Sequence, residues 1–147
     1  MSIRFAVQNI DFELPEPQKV RQWVAEVVQR RGKHVGNLSY LFCDDEHILE
    51  VNRQFLDHDT YTDIITFDYV AADLISGDIL ISIDRVGENA RTYGVPFEQE
   101  LHRVVIHGVL HLLGQGDKSP DEAAEMRRQE AEALALWEQM FHEEHNA

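Results

Sequence analysis

Two histidines four residues apart, His107 and His111, have a spacing suited to binding a metal ion. Residues four apart on a helix lie on the same face, so both imidazoles can reach one metal ion without backbone distortion. Asp117 follows Gly114 and Gly116, and these glycines allow the chain to end a helix and turn back. Two histidines and a carboxylate leave one position open on a tetrahedral zinc ion, as in catalytic sites. The segment therefore predicts one zinc ion with an activated water.

A pair of histidines at this spacing also arises by chance, and the alternative is a pair of core histidines with satisfied hydrogen bonds. Flanking apolar residues, a glycine stop and an acid beyond the turn favour the metal site. Burying two imidazoles without hydrogen-bond partners would destabilise the fold by an amount on the order of several kcal/mol. Gly108 stands where metallopeptidases carry their general-base glutamate, which disfavours a peptidase.

The elements that position these residues follow from hydrophobic periodicity. Strands are predicted at 3–7, 38–43, 64–67 and 79–83, and the connection between the last two ends at Gly77. Helices are predicted from Pro17 to near Gly32 and at 44–55, 85–93, 97–113 and 119–141. This order predicts a single α+β domain over residues 1–147. Its small, four-stranded mixed sheet is covered by about five helices, with the metal site at the end of a core helix.

Composition limits the classes of function. The chain has 147 residues, of which 44% are hydrophobic and 27% charged, with a formal charge of −14. Such an acidic surface excludes a polybasic nucleic-acid binder but allows an RNA enzyme that concentrates its cations in one cleft. The single cysteine excludes an internal disulfide and a Cys-only zinc site. No apolar run is long enough to span a bilayer, so we expect a cytoplasmic protein without membrane contact.

The segment HGVLHLLG, residues 107–114, resembles the signature of the YbeY family of bacterial rRNA maturation factors, His-Gly-x-Leu-His-Leu-x-Gly-Tyr-Asp-His. The third histidine of the family falls on Asp117. Two further blocks, NRQFLDHDTYTDIITF at 52–67 and GDILIS at 77–82, are similar to family segments in order and spacing. Leu56 departs from the family, which carries an arginine there that is thought to serve RNA cleavage.

The resemblance implies a single-strand-specific, zinc-dependent endoribonuclease. Its implied roles are in rRNA processing, including maturation of the 16S rRNA 3′ end, and in ribosome biogenesis and quality control. Single-stranded rRNA and ribosomal small-subunit proteins are the implied partners. Two alternatives stay open: a non-catalytic ribosome-assembly factor with a structural metal, and a metallohydrolase of another substrate.

Four residues are candidates for catalysis beside the metal. Arg53 and Arg103 are cations near the motif segments and suited to meet a phosphate, although isolated surface arginines need no such role. His58 is interpreted either as a surface loop residue or, because it lies in the motif block, as a residue that contacts phosphate when protonated. Asp63 either satisfies local backbone donors or orients a ligand histidine, with equal weight. His102 lies about 140° around the helix from His107, which excludes it from the same metal.

Overall fold

A mixed sheet organises the chain. The computed structural model describes residues 2–55 and 62–146. The strands are β1 (Ser2–Val7), β2 (His34–Cys43), β3 (Ile64–Asp68) and β4 (Leu74–Ser82). They lie in the sheet in the order β1-β2-β4-β3. The pairs β1–β2 and β2–β4 are parallel, whereas β3 runs antiparallel to β4. The predicted four-stranded mixed sheet is confirmed.

The helices in the described ranges are α1 (Pro17–Arg30), α2 (Asp45–Phe55), α3 (Ile83–Tyr93), α4 (Phe97–Leu112) and α5 (Pro120–Asn146). They follow the strands in the predicted order, which confirms the α+β class. The main differences lie at element ends, since β2 begins earlier and α5 ends later than predicted. Ile83 belongs to α3 rather than to a strand, because the Ser82 hydroxyl caps that helix by accepting a hydrogen bond from the Arg85 amide at 3.2 Å.

Two cores lie on opposite faces of the sheet, because side chains alternate along each strand. Tyr40 and Ile79 face the larger core, which α1, α4 and α5 cover. Cys43 and Leu80 face a smaller core beneath α2. Trp23 of α1 joins the first and last helices by donating its indole N–H to the carbonyl oxygen of Ala133, a buried hydrogen bond of 2.8 Å.

Two glycines allow close packing near the histidine motif. A Cβ at Gly108 would lie 3.1 Å from side-chain atoms of Ile64 and Ile79, so its absence brings α4 close to β3 and β4. The prediction that Gly77 ends a connection is wrong, because β4 begins at Leu74 and contains it. A Cβ at Gly77 would lie 2.6 Å from the carbonyl oxygen of Phe67, and this close approach explains glycine inside a strand.

The end of α4 returns the chain toward the histidines. Gly114 adopts a positive φ of 101°, and the Gln115 amide donates to the carbonyl of Leu110 at 3.0 Å. This pattern is that of a Schellman-type helix end, which requires a left-handed residue and favours glycine. The predicted glycine stop is therefore confirmed, and the turn brings Asp117 beside α4.

Candidate functional site

His107 lies between two carboxylates. Its Nδ1 atom is 2.6 Å from Oε2 of Glu130, and its Nε2 atom is 3.4 Å from Oδ2 of Asp117. Glu130 comes from α5 and has a side chain only 4% exposed, whereas Asp117 is 43% exposed. The imidazole is therefore fixed from the interior and faces an accessible carboxylate on its outer side.

The donor chemistry around His107 fits a cation. When Nδ1 carries the proton and donates it to Glu130, Nε2 presents a lone pair. That lone pair faces the Asp117 carboxylate, which is itself an acceptor. Two acceptors at this separation repel each other unless a proton or a cation lies between them. The pair of His107 and Asp117 thus has the ligand types and orientation of a partial zinc site.

His111 lies on the last turn of α4 and is exposed. Within residues 2–55 and 62–146, no group of three or more His, Cys, Asp or Glu side chains is arranged to hold a metal ion. The structure therefore brings together two of the three predicted ligands, His107 and Asp117. The complete set with His111 stays a prediction.

Arg103 supports the inner carboxylate. Its guanidinium donates two hydrogen bonds to Glu100, at 2.9 and 2.6 Å, and one to Glu130, at 3.2 Å. Its Nη2 atom is also 3.7 Å from Oδ2 of Asp63. The hydrogen bonds to Glu100, the largest cause, raise the pKa of Arg103 against the opposing effect of burial. The guanidinium is thus a permanent cation with three carboxylate partners.

Glu130 remains ionised despite its position. Burial acts to raise the pKa of Glu130, but the hydrogen bond to His107 and the charge of Arg103 outweigh it and lower that pKa. An ionised carboxylate is the stronger acceptor for the imidazole N–H. Glu130 therefore couples the Arg103 network to the orientation of His107.

The other candidate residues have different surroundings. Arg103 was expected as a cation that could meet a phosphate. Its charge is already paired with three carboxylates, so it is not a free cation. Asp63 lies beside that guanidinium, and Glu130 is the carboxylate that contacts His107, so Asp63 does not orient this histidine. Arg53 is exposed in the last turn of α2. His58, like Leu56, lies outside the described residues.

Sequence reasoning missed Glu100 and Glu130, which are both buried. Glu130 falls at helical spacing between Met126, Ala133 and Trp137, all of which are buried. An acid inside the apolar stripe of an amphipathic helix is costly unless it has a partner. That pattern was the available indication of a buried polar network.

His102 is on another side of α4, where its ring centroid lies 5.5 Å from that of Trp23 and 4.1 Å from that of Trp137. It contacts aromatic rings rather than the carboxylates around His107, as helical periodicity predicts. None of the helices in the described ranges combines the length and the apolar character required to cross a membrane.

Comparisons with known proteins agree with this architecture. The family model described as Endoribonuclease YbeY matches residues 4–138. The Endoribonuclease YbeY of Porphyromonas gingivalis (strain ATCC 33277) is 53% identical over 134 residues, covering 91% of this chain and 89% of that protein. The Endoribonuclease YbeY of Phocaeicola vulgatus is 56% identical over 134 residues, covering 91% and 97%.

A solved structure is similar as well. The solution structure of a Thermotoga maritima protein superposes with a TM-score of 0.68 at 26% identity, covering 97% of this chain and 93% of that one. The family match spans the histidine motif, Asp117 and Glu130. The chain therefore belongs to the YbeY family of endoribonucleases, enzymes that hydrolyse phosphodiester bonds.

Proposed function

We propose that this nuclease is zinc-dependent and cleaves single-stranded ribosomal RNA, including the 3′ end of 16S rRNA during ribosome maturation and quality control. The observation that carries the metal assignment is the position of His107, with one ring nitrogen held by Glu130 and the other facing Asp117. Ribosomal small-subunit proteins are the proposed partners, and the cytoplasm is the proposed location.

The proposed ligands are His107, His111 and Asp117, with one zinc ion per chain. When bound, zinc supplies Lewis-acid chemistry at neutral pH. Glu130 accepts a hydrogen bond from the Nδ1–H of His107, which leaves Nε2 as the ligating atom and fixes the ring. Arg103 holds Glu130 in place through a 3.2 Å hydrogen bond. The residues of the protein thus fix the orientation of His107 before any metal is bound.

Metal analysis of the purified chain tests the zinc site. We expect about one zinc per chain, and the variants His107→Ala and His111→Ala should each lose stoichiometric retention. His34→Ala is the matched control, because His34 is exposed on β2 rather than on α4. Wild-type metal retention in either of the first two variants would show that the assigned ligands are wrong.

An RNA cleavage assay tests the substrate. Wild-type protein should cleave a single-stranded fragment spanning the 3′ end of 16S rRNA and spare the same fragment in a duplex. His111→Ala should lose this cleavage and His34→Ala should keep it. A zinc-loaded chain that cleaves neither form would instead favour the alternative role of a non-catalytic assembly factor.

A further inference from the structure

A groove separate from the histidine–carboxylate site lies where the start of α1 meets α4 and α5. Its volume is about 510 Å³, which is within the usual range of small-ligand sites. Exposed carboxylates line it, contributed by Glu16, Glu98 and Glu138, whereas His102 and Trp137 form its buried wall. Among the described residues that line the groove there is no lysine or arginine. The groove therefore combines an acidic rim with an aromatic wall.

His102 has an unsatisfied polar atom at this wall. Its side chain is 5% exposed, and its buried Nε2 atom has no hydrogen-bond partner. The carboxylate of Glu98, on the rim, is 3.9 Å from Nε2, which is too far for a hydrogen bond, and both side chains line the groove. A buried polar atom without a partner is costly, and such atoms often mark a missing water or ligand.

The electrostatics of the groove favour a cation. Burial lowers the pKa of His102 to about 4, with Glu16 acting in the opposite direction, so the ring is neutral near pH 7. In the tautomer with its proton on Nδ1, Nε2 is an acceptor. Lys19 is already paired with Glu16 at 2.5 Å and lies 5.3 Å from the centroid of the Phe141 ring. Glu98 and Glu138 therefore leave excess negative charge at the rim.

We propose that this groove binds an organic cation, an ammonium or guanidinium group on a short apolar stem, with Nε2 of His102 and the carboxylate of Glu98 as its acceptors. The stem packs against Trp137, and the charged group lies between the two acceptors. A bare metal ion is disfavoured, because no group of three His, Cys, Asp or Glu side chains in the described ranges is arranged to hold one. Anions are disfavoured by the carboxylates of the rim.

Titration of the full chain, labelled with ¹⁵N-histidine, tests this proposal at pH 7 and constant ionic strength. The probes are spermidine, agmatine and N-acetylarginine amide, and the readout is the ring-nitrogen resonance of His102, assigned by its loss in His102→Phe. We expect a saturable shift of Nε2 with at least one probe. Spermidine alone would indicate a free polyamine, and N-acetylarginine amide alone would indicate an arginine side chain; either supports the proposal.

Two exposed glutamates provide the matched comparison. Glu98→Gln should weaken binding about tenfold, the value of one charge-assisted hydrogen bond. Glu50→Gln removes the same charge from α2, on the opposite face of the sheet, and should leave affinity within about twofold. Absence of a saturable His102 shift with every probe would overturn the proposal and leave water as the occupant. Equal weakening by both substitutions would overturn it as well.

Discussion

His102 and His107 lie on the same helix but in opposite environments. His107 has a carboxylate beside each ring nitrogen, at 2.6 and 3.4 Å. His102 contacts aromatic rings and has an Nε2 atom without a hydrogen-bond partner. The comparison shows that the surroundings contributed by α1, α5 and the turn after α4 determine what each imidazole does. One helix therefore presents a polar network on one side and an aromatic groove on another.

The largest effect is expected from Glu130→Ala. This change removes the carboxylate that accepts hydrogen bonds from the half-buried Arg103 and from His107, and each lost hydrogen bond to a charged group costs about 1.5–3 kcal/mol in the free energy of unfolding. Urea denaturation at pH 7 measures the change. Glu132→Ala, at an exposed position of α5, is the control and should change stability by less than about 0.5 kcal/mol. Similar losses in both variants would contradict the assigned network.

The second prediction concerns acidification and His102. Because its pKa is lowered from 6.5 to about 4 in the folded protein, the unfolded chain binds the proton more readily. The stabilising contribution is complete above about pH 6.5 and is lost as pH falls toward about 4. The loss is on the order of 3 kcal/mol in the free energy of unfolding.

The matched variant for that measurement is His102→Phe, which keeps an aromatic ring between Trp23 and Trp137 but removes the titrating group. Denaturant unfolding of both proteins at several pH values between 4 and 7 gives the difference. The stability of wild type should fall more steeply with acidification than that of His102→Phe. Parallel pH profiles would show that His102 does not prefer its neutral form in the fold.

The third prediction tests the outer side of His107. Asp117→Asn removes the charge that faces Nε2 and should weaken zinc binding about 10- to 100-fold, whereas Asp117→His should restore a family-like site. Competition with a chromophoric chelator measures zinc affinity. Unchanged affinity in Asp117→Asn would mean that the third ligand lies elsewhere, and His58 would be the next candidate.

The smallest effect is expected from Asp63→Asn. Its carboxylate is 25% exposed and lies 3.7 Å from the Arg103 guanidinium, which keeps its hydrogen bonds to Glu100 and Glu130. Partly exposed pairs of this kind contribute less than about 1 kcal/mol. Thermal denaturation should show a small decrease in Tm, and a loss as large as that of Glu130→Ala would place Asp63 at the centre of the network.

Local patterns predicted much of the fold. Short apolar runs identified the strands, with loose alternation in the first of them, and Gly114 marked the end of α4, because its positive φ of 101° suits glycine. Gly77 misled the prediction, since its role depends on the carbonyl of Phe67 in a neighbouring strand. A contact between strands cannot be read from the sequence around one residue.

The candidate site was predictable only where its residues are close in sequence. His107 and Asp117 share one helix and the following turn, so spacing placed them together. Glu130 reaches His107 from the next helix, and its contact depends on how α5 packs against α4. The unsatisfied Nε2 of His102 likewise depends on the tertiary positions of Trp137 and Glu98. Tertiary packing, rather than composition, determines which carboxylate lies beside which imidazole.

The hydrogen bond from Trp23 to Ala133 has a consequence for the order of events during synthesis. Trp23 belongs to α1, but its partner carbonyl belongs to α5, which is translated after the other helices and the strands in the described ranges. The helix that satisfies this indole also delivers Glu130 to His107. A nascent chain that lacks α5 therefore has both an unsatisfied core and an unoriented histidine. Completion of the core and orientation of His107 accordingly both depend on the synthesis and packing of α5.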